Sequence, residues 1–175
     1  MSSTASFLAS RPNVLPVLQA TTITSLSIIS GVSICLTAWV IPVIRTAREA
    51  QTQTTQFSLT IEKGWKYLHH FSQLQGASLA TITYLVSQHP NPAIAAKWRI
   101  WAAALGIVAF AWPFERIAIF PVNDRVGEIG EEVKKGDEGR VGEVDGLLKE
   151  WGVKNVFRAA LPLSAAVTGL YSLIF

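Results

Sequence analysis

The chain has 175 residues, of which half are apolar and only 15% are charged, with a mean hydropathy of +0.34. Ordinary soluble domains carry about 25% charged residues, so the composition speaks against disorder and against a typical soluble enzyme. Fifteen basic and twelve acidic residues leave a formal charge of +3 with no basic cluster, which gives nucleic acid no footing.

The single cysteine, Cys35, excludes an intramolecular disulfide and a cysteine-based zinc site. Its apolar surroundings predict a buried, inert thiol. Charge-free runs organise the chain: 33 residues between Arg11 and Arg45, 30 between Lys66 and Lys97, 15 from Ile100 to Phe114, and the last 17 after Arg158. A bilayer core takes about 20 mostly apolar residues per helix. The pattern therefore predicts an all-α, integral membrane four-helix bundle, one domain over 1–175, with helices about 14–40, 66–88, 98–120 and 153–174. The second is the least apolar, carrying His69, His70, Gln73, Gln75 and Gln88, and an interfacial helix is its alternative reading. SSTAS at the start reads as a short disordered tail. The first run is too long for a signal peptide and has no cationic lead.

Lys and Arg counts set the orientation. Arg45, Arg48, Lys63, Lys66, Arg125, Lys134, Lys135, Arg140, Lys149 and Lys154 flank the first and third connections; Arg11, Lys97 and Arg99 lie on the opposite side. Ten against three predicts cytosolic first and third connections, in an intracellular membrane. The third, about 121–151, holds nine of the twelve acids and six glycines. It reads as a charged, solvated cytosolic loop with short helical pieces, since no phosphate-loop signature is present.

Ionisable and strongly polar groups within apolar spans are functional candidates. Trp151, Asn155, Arg158 and Pro162 recur at helical spacing on one face; Glu115, Ile119 and Asn123 share another, and Trp65, His69, Gln73 and Gly76 a third. By the alternating topology His69, Asn123, Asn155 and Arg158 fall at similar depth near the cytosolic interface, where the stripes line one cavity. Glu115 and Arg116 are adjacent, so they do not face each other, and each is free to pair with another helix. Trp65 and Trp151 also fit an aromatic belt. The hydroxyls of the first helix, from Thr21 to Ser33 and Thr37, read as packing residues. Pro42 and Pro113 should kink or end their helices. No esterase, zinc-protease, dinucleotide or flavin signature occurs.

Two segments carry a resemblance. WPFERIAIFPVNDRVGEI resembles the third-helix motif of the anthrone oxygenase family, and LLKEWGVKNVFRAALPLSAAVTGL resembles its last helix. The matching positions are Pro121, Asn123, Asp124, Arg125, Trp151, Asn155 and Arg158; Glu115 departs from the family pattern, which has a small polar residue there. The resemblance implies a small membrane enzyme of aromatic polyketide pathways. Such an enzyme oxidises an anthrone to an anthraquinone with molecular oxygen as co-substrate, without metal, flavin or other cofactor. Its partners would be the anthrone-like substrate, oxygen, the lipid bilayer and other pathway enzymes. Under that implication His69 or His70 serves as base, since neutral imidazole is available at pH 7. Arg158 with Asn155, and Asn123 beside them, stabilises the developing oxyanion, such donors being worth about 3–4 kcal/mol each. Asn123, Trp151, Glu115 and Gln73 bind substrate, Trp151 by stacking on it. Three readings compete: a non-catalytic four-helix membrane scaffold for pathway enzymes, a small transporter, for which no inverted repeat is visible, and an oxygenase acting on a different phenolic substrate.

Overall fold

The computed structural model describes residue 6, residues 10–136 and residues 139–175. Most of the expected N-terminal tail lies outside these residues, as do positions 137 and 138 of the acidic stretch. Among the described residues there is no strand. Four helices account for nearly all of them: α1 (Val14–Arg45), α2 (Ala50–Ser87), α3 (Pro92–Lys134) and α4 (Val141–Ile174).

Local chemistry fixes the ends. Asn91 caps α3, its Oδ1 accepting the Ala93 N–H at 2.9 Å, and Pro92 follows at a position whose N–H would have no helical partner. At the far end of α3 the Gly136 N–H closes on the Val133 carbonyl at 3.0 Å. Gly136 sits at φ +106°, a backbone conformation that suits glycine alone, and it stops the helix there.

Two helices contain a wide, π-helical turn: Leu36–Val40 in α1 and Glu115–Ile119 in α3. In each the ring closes over five residues, Ile41 N–H to the Leu36 carbonyl and Phe120 N–H to the Glu115 carbonyl. Proline explains both. Its ring clashes with the carbonyl four residues back. For Pro42 that carbonyl belongs to Ala38 and for Pro121 to Ile117, the midpoints of the two wide turns. The backbone widens where the clash falls, and the helix continues. Pro42 was expected to kink or end its helix; it widens it instead. Pro113 is likewise carried inside α3.

The helices contribute to two compact units: unit 1 (1–30, 71–110, 161–175) and unit 2 (31–70, 111–160). Unit 1 has a core of Leu15, Leu26, Leu79, Ile82, Val86, Trp101, Ala104, Ala165 and Ala166. Unit 2 buries Ile41, Ile44, Phe57, Ile119, Val122, Val126, Ile129, Val133, Val144, Leu148 and Trp151. In unit 2 the helices approach closely at Gly130, where an added Cβ would meet the Thr54 side chain at 3.3 Å.

Three of the four helices, α1, α3 and α4, are long and apolar enough to cross a membrane; α2, expected as the second span, is not among them. Large apolar side chains stand exposed along all of them, including Ile28, Trp39, Phe110, Ile117, Phe157 and Val167. So much exposed apolar surface is the mark of a protein whose solvent is not water alone.

Two further expectations change. The stretch 121–151 was expected to be a loop. It is helical from Phe120 to Lys134 and again from Val141, because Val122, Val126, Ile129 and Val133, then Val144, Leu148 and Trp151, form apolar stripes that bury in the core of unit 2. Cys35, expected to be buried, is exposed. An apolar run does not separate the side of a helix that faces protein from the side that faces lipid, since both are apolar.

Candidate functional site

The charged groups of unit 2 fall into two sets. One is a network that joins the helical extensions. Arg125 pairs with Glu143 at 2.8 Å and with Glu128 at 3.0 Å, while Arg140 reaches Glu132 at 2.6 Å. Arg45 reaches Asp145 at 2.6 Å and Lys149 approaches the same carboxylate at 2.8 Å. Their hydrogen bonds hold the Asp145 carboxyl down to about 2, Arg45 contributing most. Arg125, carried by the family-like segment, is therefore a structural tie between α3 and α4, and its guanidinium is stabilised further in its charged form by Glu143 and Glu128.

The second set is sparser and less exposed. Asn155 on α4 is fully buried, and its amide donates to the Ser33 carbonyl at 2.7 Å and to the Thr37 hydroxyl at 2.8 Å. Thr37 in turn donates towards the Gly152 carbonyl at 3.4 Å. One turn along α4, Arg158 places one guanidinium nitrogen 3.3 Å from the Glu115 carboxylate and the other 3.4 Å from the Ser33 hydroxyl. The Arg158 and Glu115 side chains keep 21% and 27% of their surface accessible. They are reachable, whereas Asn155 beneath is not.

Both wide turns serve this cluster. Thr37 lies in the first and Glu115 opens the second. Widening a helix by one residue re-aims the side chains it carries, and such turns recur at functional sites. On α4 the buried Asn155 Oδ1 and the Trp151 indole N–H, one helical turn apart, have no hydrogen-bond partner among the described residues. The face that the spacing of Trp151, Asn155 and Arg158 predicts is thus real, and it is turned inward at Trp151 and Asn155.

The other candidates stand apart from this hydrogen-bonded set. Trp151 is 1% exposed and meets Phe57 edge-on at 5.5 Å, so it is a core residue of unit 2 and no aromatic-belt residue. Asn123 is half-buried, its Oδ1 unpartnered among the described residues. His69 stacks on Trp65 with 4.1 Å between ring centroids, and His70 meets His69 edge-on at 5.6 Å, all on α2. Gln73 lies in unit 1 and is exposed. Ser33 and Thr37 are the residues that sequence reasoning left among packing hydroxyls. Their spacing of four, on the face opposite Asn155 and Arg158, was the available signal, but it is diluted by neighbours such as Thr21, Thr22 and Ser27 that merely bond back to their own helix.

Helices apolar enough to span a bilayer, carrying a buried amide and a half-buried arginine–carboxylate pair, define a membrane-type helical protein with a polar site inside it. The anthrone oxygenase family matches residues 65–168, and the chain belongs to that family. The match takes in Glu115, Asn155 and Arg158 but not Ser33 or Thr37. The chain is 29% identical over 162 residues to the monooxygenase hypC of Dothistroma septosporum (strain NZE10 / CBS 128990), covering 91% of this chain and 80% of the relative. It is 24% identical over 157 residues to the anthrone oxygenase AgnL2 of Paecilomyces divaricatus, covering 86% and 92%. No solved structure matches it.

Proposed function

We propose that the protein is an integral membrane oxygenase that converts an anthrone to an anthraquinone with molecular oxygen and no metal or organic cofactor. The observation that carries the reading is Arg158. It lies within the family-matched stretch, is held by Glu115 and Ser33 through long contacts, and stays accessible. A guanidinium has five N–H donors, so two such contacts leave others for a substrate oxygen.

The chemistry suits that group. Loss of a proton from the CH₂ opposite the anthrone ketone gives an anthrolate whose negative charge reaches the ketone oxygen. Arg158 stabilises that oxyanion. The electron-rich anion reduces oxygen, a carbon–oxygen bond forms, and the resulting peroxide loses water to give the quinone. One O₂ is consumed and one water released per turnover. His69 or His70 is the proposed base. Asn155 spends its amide hydrogens on Ser33 and Thr37; its part is to fix the helix face on which Arg158 stands. Asn123 remains a proposed substrate contact, and Glu115 reaches substrate through its hold on Arg158; Trp151, sealed in the core of unit 2, and Gln73, in unit 1, are given no part in this site.

The membrane reading extends to four spans in one membrane domain, with the connections after α1 and α3 on the cytosolic side of an intracellular membrane. α2 has the length to cross, about 57 Å at 1.5 Å per residue. One of its glutamines, Gln75, is turned inward at 3% exposure, so its outward face is less polar than its composition. Other enzymes of an aromatic polyketide pathway are the proposed partners.

The test is oxygen uptake and quinone formation by detergent-purified protein given 1,8-dihydroxyanthrone, with and without chelator, above the spontaneous oxidation rate. Arg158→Gln should lower turnover about 10²- to 10³-fold, the usual loss of one oxyanion donor. Near wild-type turnover in that variant removes the oxyanion role. No acceleration by the wild type moves the protein to the scaffold reading.

A further inference from the structure

Unit 1 contains a cavity of its own, about 440 Å³, framed by the start of α1, the end of α2, the start of α3 and the end of α4. Its walls are apolar at Leu15, Val86 and Trp101, and its polar lining is Gln19, His89, Lys97 and Ser172; among the described residues no carboxylate lines it. The volume is within the range of small-molecule sites.

Gln19 gives the cavity its chemistry. The residue is 6% exposed, and it lines the cavity. Buried carboxamides are normally paired, because burying one unpaired is costly. One that lines a cavity finds its partner in whatever fills it. Lys97 and His89 shape the same space. The Lys97 ammonium donates to the Ser172 carbonyl at 2.8 Å, which fixes a positive charge in the wall. The His89 Nδ1 accepts the Asn91 N–H at 3.1 Å, so the neutral ring carries its proton on Nε2 and is a donor there. Donors set in apolar walls, with no acid, select an oxygen acceptor on an apolar body.

We propose that this cavity is a second binding site, separate from the Arg158 cluster, for a small apolar molecule bearing a ketone or carboxylate oxygen that Gln19 and Lys97 hold. An aromatic ketone and a membrane fatty acid both present that chemistry. The experiment measures equilibrium binding of 1,8-dihydroxyanthraquinone and, separately, of oleate to full-length protein in nanodiscs. Wild type, Gln19→Leu, Leu15→Phe and Arg158→Gln are compared. Gln19→Leu should weaken the bound probe about 3- to 10-fold, the worth of one hydrogen bond. Leu15→Phe, which fills the cavity, should weaken it as well, and Arg158→Gln should retain Gln19-dependent binding. Gln19→Leu should also leave the melting temperature unchanged or raised, since its amide is held for the ligand; a purely structural glutamine would lower it. Which probe shows the Gln19 dependence names the source. Binding of both probes that is indifferent to Gln19 and Leu15, binding lost only with Arg158, or no saturable binding at all overturns the proposal. None of these readouts uses turnover, so failure of the oxygenase reading leaves the test intact.

Discussion

Asn155 and Arg158 lie one turn apart on α4 yet do different things. Asn155 is sealed in and joins α4 to α1 through the Ser33 carbonyl and the Thr37 hydroxyl. Side-chain hydrogen bonds between helices in a membrane average about 0.6 kcal/mol, with an upper end near 1.7. Asn155→Ala removes two and leaves the Thr37 hydroxyl short of a donor, so a loss of about 1–2 kcal/mol is expected in reversible unfolding from mixed micelles. A variant as stable as wild type would mean that these bonds add nothing over their solvated alternatives. Arg158 and Asn155 were legible in the sequence because polar groups in an apolar run attract notice and their spacing put them on one side. Ser33 and Thr37 were not, because a hydroxyl on an apolar helix looks the same whether it bonds its own backbone or reaches across. Only the partner helix decides, and that is not written locally.

The extensions of α3 and α4 show where a sequence pattern misleads. Six glycines and nine acids over 121–151 suggest a loop, since each glycine costs about 1 kcal/mol of helix propensity. The apolar stripes outweigh that cost by burying in the core of unit 2, and four of the acids, Glu128, Glu132, Glu143 and Asp145, pair with Arg125, Arg140 and Arg45. This charged network makes stability depend on pH. Asp145 is depressed to about 2 in the folded protein, against about 3.9 when unfolded. A depressed carboxylate stabilises the fold fully above the unfolded value and loses that contribution as pH falls through the folded one. The expected result is that Asp145→Asn melts below wild type at pH 7 in low salt, and that the gap closes between pH 4 and pH 2. A gap independent of pH over that window would show that packing, and not the ion pair, carries the effect. Salt should narrow the gap as well, since both partners are partly exposed.

For the whole molecule, the division between three apolar helices and one mixed helix sets the sharpest question of topology. If α2 crosses the bilayer, the connections on either side of it lie on opposite faces. Single cysteines Glu49→Cys and Gln88→Cys, each in a Cys35→Ser background, should then react from opposite sides of sealed vesicles with an impermeant maleimide. Glu49→Cys should react from the cytosolic side. Reaction of both from one side would make α2 an interfacial helix. Native Cys35, exposed on an apolar helix, is expected to react with a lipophilic maleimide and resist the impermeant one. The all-helical fold was readable from charge-free runs alone; the grouping into two units was not, because the same helices pass through both and nothing in their hydropathy marks the boundary.

The two wide turns have a consequence for how this chain can change over generations. Each is, in effect, one residue more than a regular helix needs, tolerated because a proline two residues on makes the regular path too tight. A single-codon deletion inside Leu36–Val40 or Glu115–Ile119 would therefore need no new interaction to be absorbed; it would remove the surplus. The residues on either side would keep their present faces, because the widened turn had already absorbed the extra residue. Insertions and deletions are usually harmless only in surface connections. Here they have a permitted place inside the helices, and each one would change the side chains of the turn itself while the rest of the helix keeps its face to the same interior.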